Sequence, residues 1–133
     1  MTTPLWLILG FALVGVLDTS YLIYHRLTGT EVACWFFPKA WCYKVQHSKQ
    51  SKTFGIPNAY LGFLMYAAII ASILLVQADW FRTYLETKLL IAAGFGFSMY
   101  FVYVQAFVLK AFCTWCVLSA INFTAMLVTS FYI

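Results

Sequence analysis

The run from Leu89 to Leu109 contains no charged residue, and after a short break at Lys110–Ala111–Phe112 the chain continues from Cys113 to Ile133 without another. A helix crosses the ~30 Å hydrocarbon core of a bilayer with about 20 such residues, so each run is about long enough to span it. Two earlier runs have the same character: Leu5–Tyr24, which contains one acid, Asp18, and Ala59–Gln77. Backbone polar groups in lipid must be satisfied within their own segment. The four runs are therefore expected to be transmembrane helices over about 5–24, 59–77, 89–109 and 113–133.

Composition agrees. Hydrophobic residues make up 64% of the chain and charged residues 9%, where soluble domains carry about 25% charged residues. A soluble fold is excluded on these figures. The expected fold class is an all-α membrane protein: a four-transmembrane-helix bundle forming a single domain over 1–133, with the long 25–58 loop capping one end. The net charge of +4 is small and scattered, which argues against nucleic-acid binding. No basic residue precedes Leu5 and no small-residue cleavage site follows the first run, so that run reads as a retained span rather than a signal peptide.

Parity places the chemistry. With four spans, the 25–58 loop and the 110–112 break emerge on one side of the membrane. Cys34 and Cys42 lie in that loop, and Cys113 and Cys116 lie at that break, so all four cysteines gather at one face. In Cys113–Thr114–Trp115–Cys116 the cysteines are spaced i, i+3 on one face of a helix's first turn and can close a disulfide or present two thiols. The positive end of the helix favours the thiolate there. The plainer alternative is two buried cysteines packing as small hydrophobes. Between the loop cysteines, Trp35–Phe36–Phe37–Pro38–Lys39–Ala40–Trp41 is aromatic enough to lie at the interface, with the tryptophans as anchors.

Two cysteine pairs at a membrane surface admit three chemistries. A four-cysteine zinc site generally uses two close knuckles, and the Cys34–Cys42 spacing is wide for one. Two structural disulfides are possible, although a bond across one helical turn does little for a fold. A thiol–disulfide relay gives both pairs a purpose, since one exchanges with a soluble partner and the other with something in the membrane.

The pattern of Cys34 and Cys42, then Val45 and Ser48, Gly55–Ile56–Pro57–Asn58, Gly62, Tyr66 and finally Cys113–Thr114–Trp115–Cys116 resembles the vitamin K epoxide reductase family, in particular its stand-alone prokaryotic members. The resemblance covers nearly the whole chain. It implies a quinone-dependent thiol–disulfide oxidoreductase that supports disulfide formation, with a quinone of ubiquinone, menaquinone or vitamin K type inside the bundle and a thioredoxin-like redox protein as partner. It further implies that Cys116 passes electrons to the quinone, that Cys42 exchanges with Cys113, and that Cys34 is the sulfur attacked by the partner. Ser48, Asn58 and Tyr66 match positions at the quinone pocket, where carbonyl acceptors call for hydroxyl and amide donors. One departure stands out. Vertebrate members carry a tyrosine four residues past the second cysteine of the CxxC, where this chain has Ala120, and this argues against epoxide reduction.

Asp18 is weighed separately. An acid inside a span is costly and is a functional candidate by default. It opens a rival class, a small four-helix transporter carrying a proton or cation, with structural cysteines. Its nearness to the span end, to His25, Arg26 and several hydroxyls, favours a hydrogen-bonded structural acid instead. Asn122–Phe123–Thr124 has the glycosylation pattern but falls inside the fourth span, where it carries no meaning.

Orientation divides two arguments. Disulfide chemistry belongs outside the cytoplasm. Positive charge belongs inside, yet Arg26, Lys39, Lys44, Lys49, Lys52 and Lys110 lie on the cysteine side against Arg82 and Lys88 on the other. Lys44, Lys49 and Lys52 have a second use in favouring thiolates. The expected localisation is therefore a multi-pass protein of the cell membrane with its cysteines on the extracytoplasmic face.

Overall fold

A computed structural model describes residues 3–29, 37–46, 52–53, 56–80 and 82–133. Four long helices dominate it: α1 (Thr3–Thr28), α3 (Asn58–Gln77), α4 (Leu85–Tyr103) and α5 (Thr114–Ser130). A one-residue-wider coil, a π-helix over Val104–Leu109, continues α4. Three segments, Thr3–Thr28, Asn58–Gln77 and Leu85–Leu109, are long and apolar enough to cross a membrane, and α5 is a shorter apolar helix. At 1.5 Å per residue its 17 residues rise about 26 Å.

The helices close into a ring, with α1 against α3 and α5, and α4 against α3 and α5. Helices in lipid gain little from the hydrophobic effect, so close approach and shape carry the association. One cross-section illustrates this. Tyr66 of α3 and Phe123 of α5 stack with centroids 4.6 Å apart at 17°. Gly15 of α1 closes over Tyr66, and Gly94 of α4 closes over Phe123; a Cβ at either glycine would fall 2.2 Å from the ring. Each helix thus contributes one residue to a Gly–Tyr–Phe–Gly sandwich. Ile8, Ala12, Ile69, Ile73, Ile91 and Met126 pack around it as the central core.

Polar links tie the same helices. Asn122 Nδ2 donates to the Phe11 carbonyl at 2.6 Å, joining α5 to α1. Asn122 is buried, which bears out the reading of its glycosylation pattern as meaningless. Ser72 and Thr87 share a 2.6 Å hydroxyl–hydroxyl bond between α3 and α4.

The loop end is less helical. A short helix, α2 (Lys39–Gln46), precedes a two-residue antiparallel pairing of β1 (Lys52–Thr53) with β2 (Ile56–Pro57), which leads straight into α3. The Trp41 amide donates to the Pro38 carbonyl at 3.0 Å and starts α2. Phe37 stacks on both Trp41 and Phe112, each at 5.8 Å, laying this part of the loop over the 110–113 turn. Trp35 lies outside the described residues.

Candidate active site

At the α4–α5 junction the chain must leave one helix and start the next within four residues. The π-helix ends at Lys110, whose backbone is left-handed (φ 53°, ψ 40°). This is a conformation that non-glycine residues adopt at a cost. The Lys110 and Ala111 amides both turn back to the Gln105 carbonyl. Cys113 then takes extended backbone as the N-cap of α5, and its carbonyl accepts the Val117 amide at 2.9 Å. Its own amide donates to Gln105 Oε1 at 2.9 Å, while Gln105 Nε2 reaches the Phe101 carbonyl at 3.4 Å. Gln105 is wholly buried and fixes the backbone of the first CxxC cysteine. Sequence reasoning missed it. The available signal was a single amide within an otherwise apolar run, eight residues before Cys113.

Cys42 and Cys113 belong to one buried cluster with Val45, Phe101, Val104, Leu109 and Ala111, and Trp41, Trp115 and Cys116 pack against it. Cys42 is disulfide-bonded, and Cys113 and Cys116 are not joined in a disulfide. Cys34 and Ser48 lie outside the described residues. Cys113 is completely buried, whereas Cys116 is half-buried. The cluster formed with α2 covers Cys113, while Cys116, one turn further along α5, faces a cavity.

That cavity, of about 70 Å³, lies inside the ring at the cysteine end. Cys116, Asn58, Asp18, Thr19, Ser98 and Ser119 supply its polar wall, and Phe97, Phe101, Trp115 and Phe123 are among its apolar residues. Asn58 therefore faces the same space as Cys116. Tyr66 stands one residue behind the wall, fully buried, with its hydroxyl 2.7 Å from Ser119 Oγ. Asp18 departs from the expected hydrogen-bonded acid: it is buried, and neither carboxyl oxygen has a hydrogen-bond partner among the described residues. The groups invoked to bond it are engaged elsewhere or exposed. Thr19 Oγ1 donates to the Gly15 carbonyl at 2.8 Å, His25 packs edge-on against Tyr21 and Tyr24, and Arg26 is exposed.

A thiol, an amide, three hydroxyls and a carboxyl set among aromatic rings suit a flat ligand with carbonyl acceptors at its edge. Ligand pockets usually reach ~300 Å³ or more, so the cavity has to widen when a ring enters.

The sequence matches the model of the vitamin K epoxide reductase family over residues 6–131. The chain belongs to the vitamin K epoxide reductase family. No curated protein matches it. Membership makes it a redox enzyme of a membrane family that is generally quinone-linked and thiol-dependent, and with its apolar helices a multi-pass membrane protein. The transporter reading is not favoured by this family.

Proposed function

We propose that this vitamin K epoxide reductase family member takes two electrons from a thioredoxin-like partner at Cys34 and Cys42, moves them to Cys113 and Cys116, and delivers them to a quinone of ubiquinone, menaquinone or vitamin K type. It thereby supports disulfide formation. The observation that carries this reading is the pairing of a disulfide-bonded Cys42 with the Cys113 thiol in one buried cluster, next to a cavity walled by Cys116.

In this scheme each residue has one role. Cys34 and Cys42 form the loop disulfide that the partner attacks at Cys34. Cys42 exchanges with Cys113, which Gln105 holds by the backbone. Cys116 is the electron-donating sulfur at the cavity. Asn58 donates an amide hydrogen bond inside the cavity, Tyr66 orients Ser119 on its wall, and Ser48 adds a hydroxyl from the loop. The bound quinone supplies a two-electron acceptor. The domain is single, with α5 as the fourth span, and the cysteine end lies outside the cytoplasm of a cell-membrane protein.

Cys116→Ala tests the scheme. Purified protein, with dithiothreitol as thiol source and decylubiquinone as acceptor, should lose quinone reduction, while Cys34 and Cys42 still exchange with added thiols on alkylation gels. A variant that reduces decylubiquinone at the normal rate would show that Cys116 is not the electron exit.

A further inference from the structure

Asp18 lies in the cysteine-side half of α1, inside the membrane-spanning part of the chain. It is 4% exposed, lines the cavity shared with Cys116, and neither carboxyl oxygen has a hydrogen-bond partner among the described residues. An acid that served only to hold helices together would bond across an interface, because an unbonded buried polar group bears the full cost of its desolvation. Polar groups elsewhere in this part of the bundle make bonds of their own: Thr19 to the Gly15 carbonyl, Asn122 to the Phe11 carbonyl, and Tyr66 to Ser119. The unbonded carboxyl instead faces the space beside a redox thiol.

We propose that Asp18 is the proton-transfer group for quinone reduction at Cys116. This inference rests on the reading above. The Asp18 carboxyl gives a proton to a carbonyl oxygen of the quinone as electrons leave the Cys116 sulfur, and it recovers a proton from the thiols being oxidised. The balance closes within the cavity. Two S–H bonds of Cys113 and Cys116 break and one S–S bond forms, releasing two electrons and two protons. The quinone takes up both electrons and both protons as two O–H bonds form, giving the quinol. Asp18 ends the cycle as it began, and no further reductant or proton source is needed.

Positioned acid–base groups contribute typically about 10²–10⁴-fold to a rate. With dithiothreitol and decylubiquinone, Asp18→Asn should therefore lower kcat by about 100-fold or more, while the KM for decylubiquinone stays within about threefold. Asp18→Glu, which keeps the proton, should recover at least about a tenth of native kcat. A second readout does not depend on turnover. Infrared difference spectra of the reduced native protein, with and without decylubiquinone, should show a carboxyl C=O band that shifts on quinone addition and is missing from Asp18→Asn.

The role is overturned if Asp18→Asn keeps native kcat, if only KM rises, or if no carboxyl band responds to decylubiquinone. Should Asp18→Asn fail to fold, the native infrared band and the Asp18→Glu rate decide the matter. Native protein that reduces no quinone overturns the proposed function and the Asp18 role together. Native activity matched by Asp18→Asn overturns the Asp18 role alone.

Discussion

Gln105 is a residue outside the cysteines whose loss should be felt in both stability and exchange. Its Oε1 is the acceptor for the buried Cys113 amide. Gln105→Met keeps the bulk and removes the acceptor, leaving that donor unsatisfied at a cost of about 1–3 kcal/mol. Thermal unfolding in detergent should report the loss. Rapid-quench alkylation should show slower exchange between Cys42 and Cys113, because the receiving sulfur is no longer held. Unchanged melting and exchange would mean that Gln105 is incidental. The contrast with Asp18 shows what residue types alone can convey. An acid within an apolar run announces itself, but whether it is bonded depends on which neighbours face it, and the Thr19 hydroxyl beside it turns back to its own helix. Asn58 was legible from its place after Gly55–Ile56–Pro57, and the structure does put it across the cavity from α5. Tyr66 was legible as a residue but not in its position, one layer behind the wall and stacked on Phe123.

Helices were the easiest elements to read, since a charge-free run of spanning length has few other fates in lipid. Their ends were harder. α1 begins at Thr3 and runs on to Thr28, and α4 begins at Leu85, ahead of the expected start at 89. Charged residues end the hydrocarbon-compatible stretch but not the helix, which continues into the interface wherever its backbone bonds can close. α5 begins at Thr114 and stops at Ser130, short of the expected end. The π-helix over Val104–Leu109 had no signature in the residues. Its wider coil and the left-handed Lys110 follow from joining two antiparallel neighbours through four residues, a tertiary demand that no local pattern records. α2 was equally hidden: the aromatic loop was expected at the interface, but not as a helix that brings Cys42 against Cys113.

At the scale of the whole molecule, orientation is the open proposal with the most direct measurement. With the cysteine end outside, a membrane-impermeant maleimide added to intact, reduced cells should label Cys34. Labelling that requires lysis would place the cysteines in the cytoplasm and vindicate the positive charge on their side.

The Gly15–Tyr66–Phe123–Gly94 sandwich bears on energy coupling as well as packing. Together with the buried Ile69, Ile73, Ile91 and Met126 it fills the ring between the cavity and the far membrane face. Tyr66 is the one polar side chain among those residues and it is engaged; of the other buried polar groups in the bundle, Ser72 is bonded to Thr87, Asn122 to the Phe11 carbonyl and Ser130 to the Leu127 carbonyl. In the proposed scheme electrons enter at the cysteine end, and the protons exchanged in the cavity originate from thiols at that same end. Moving one elementary charge across 100 mV costs about 2.3 kcal/mol, and a cycle confined to one side avoids that term altogether. Turnover should therefore be electroneutral, neither building a membrane potential nor drawing on one. In proteoliposomes, imposing a potassium diffusion potential of either sign should leave the rate of decylubiquinone reduction unchanged, and a rate that follows the imposed voltage would reveal a charge path through the sandwich.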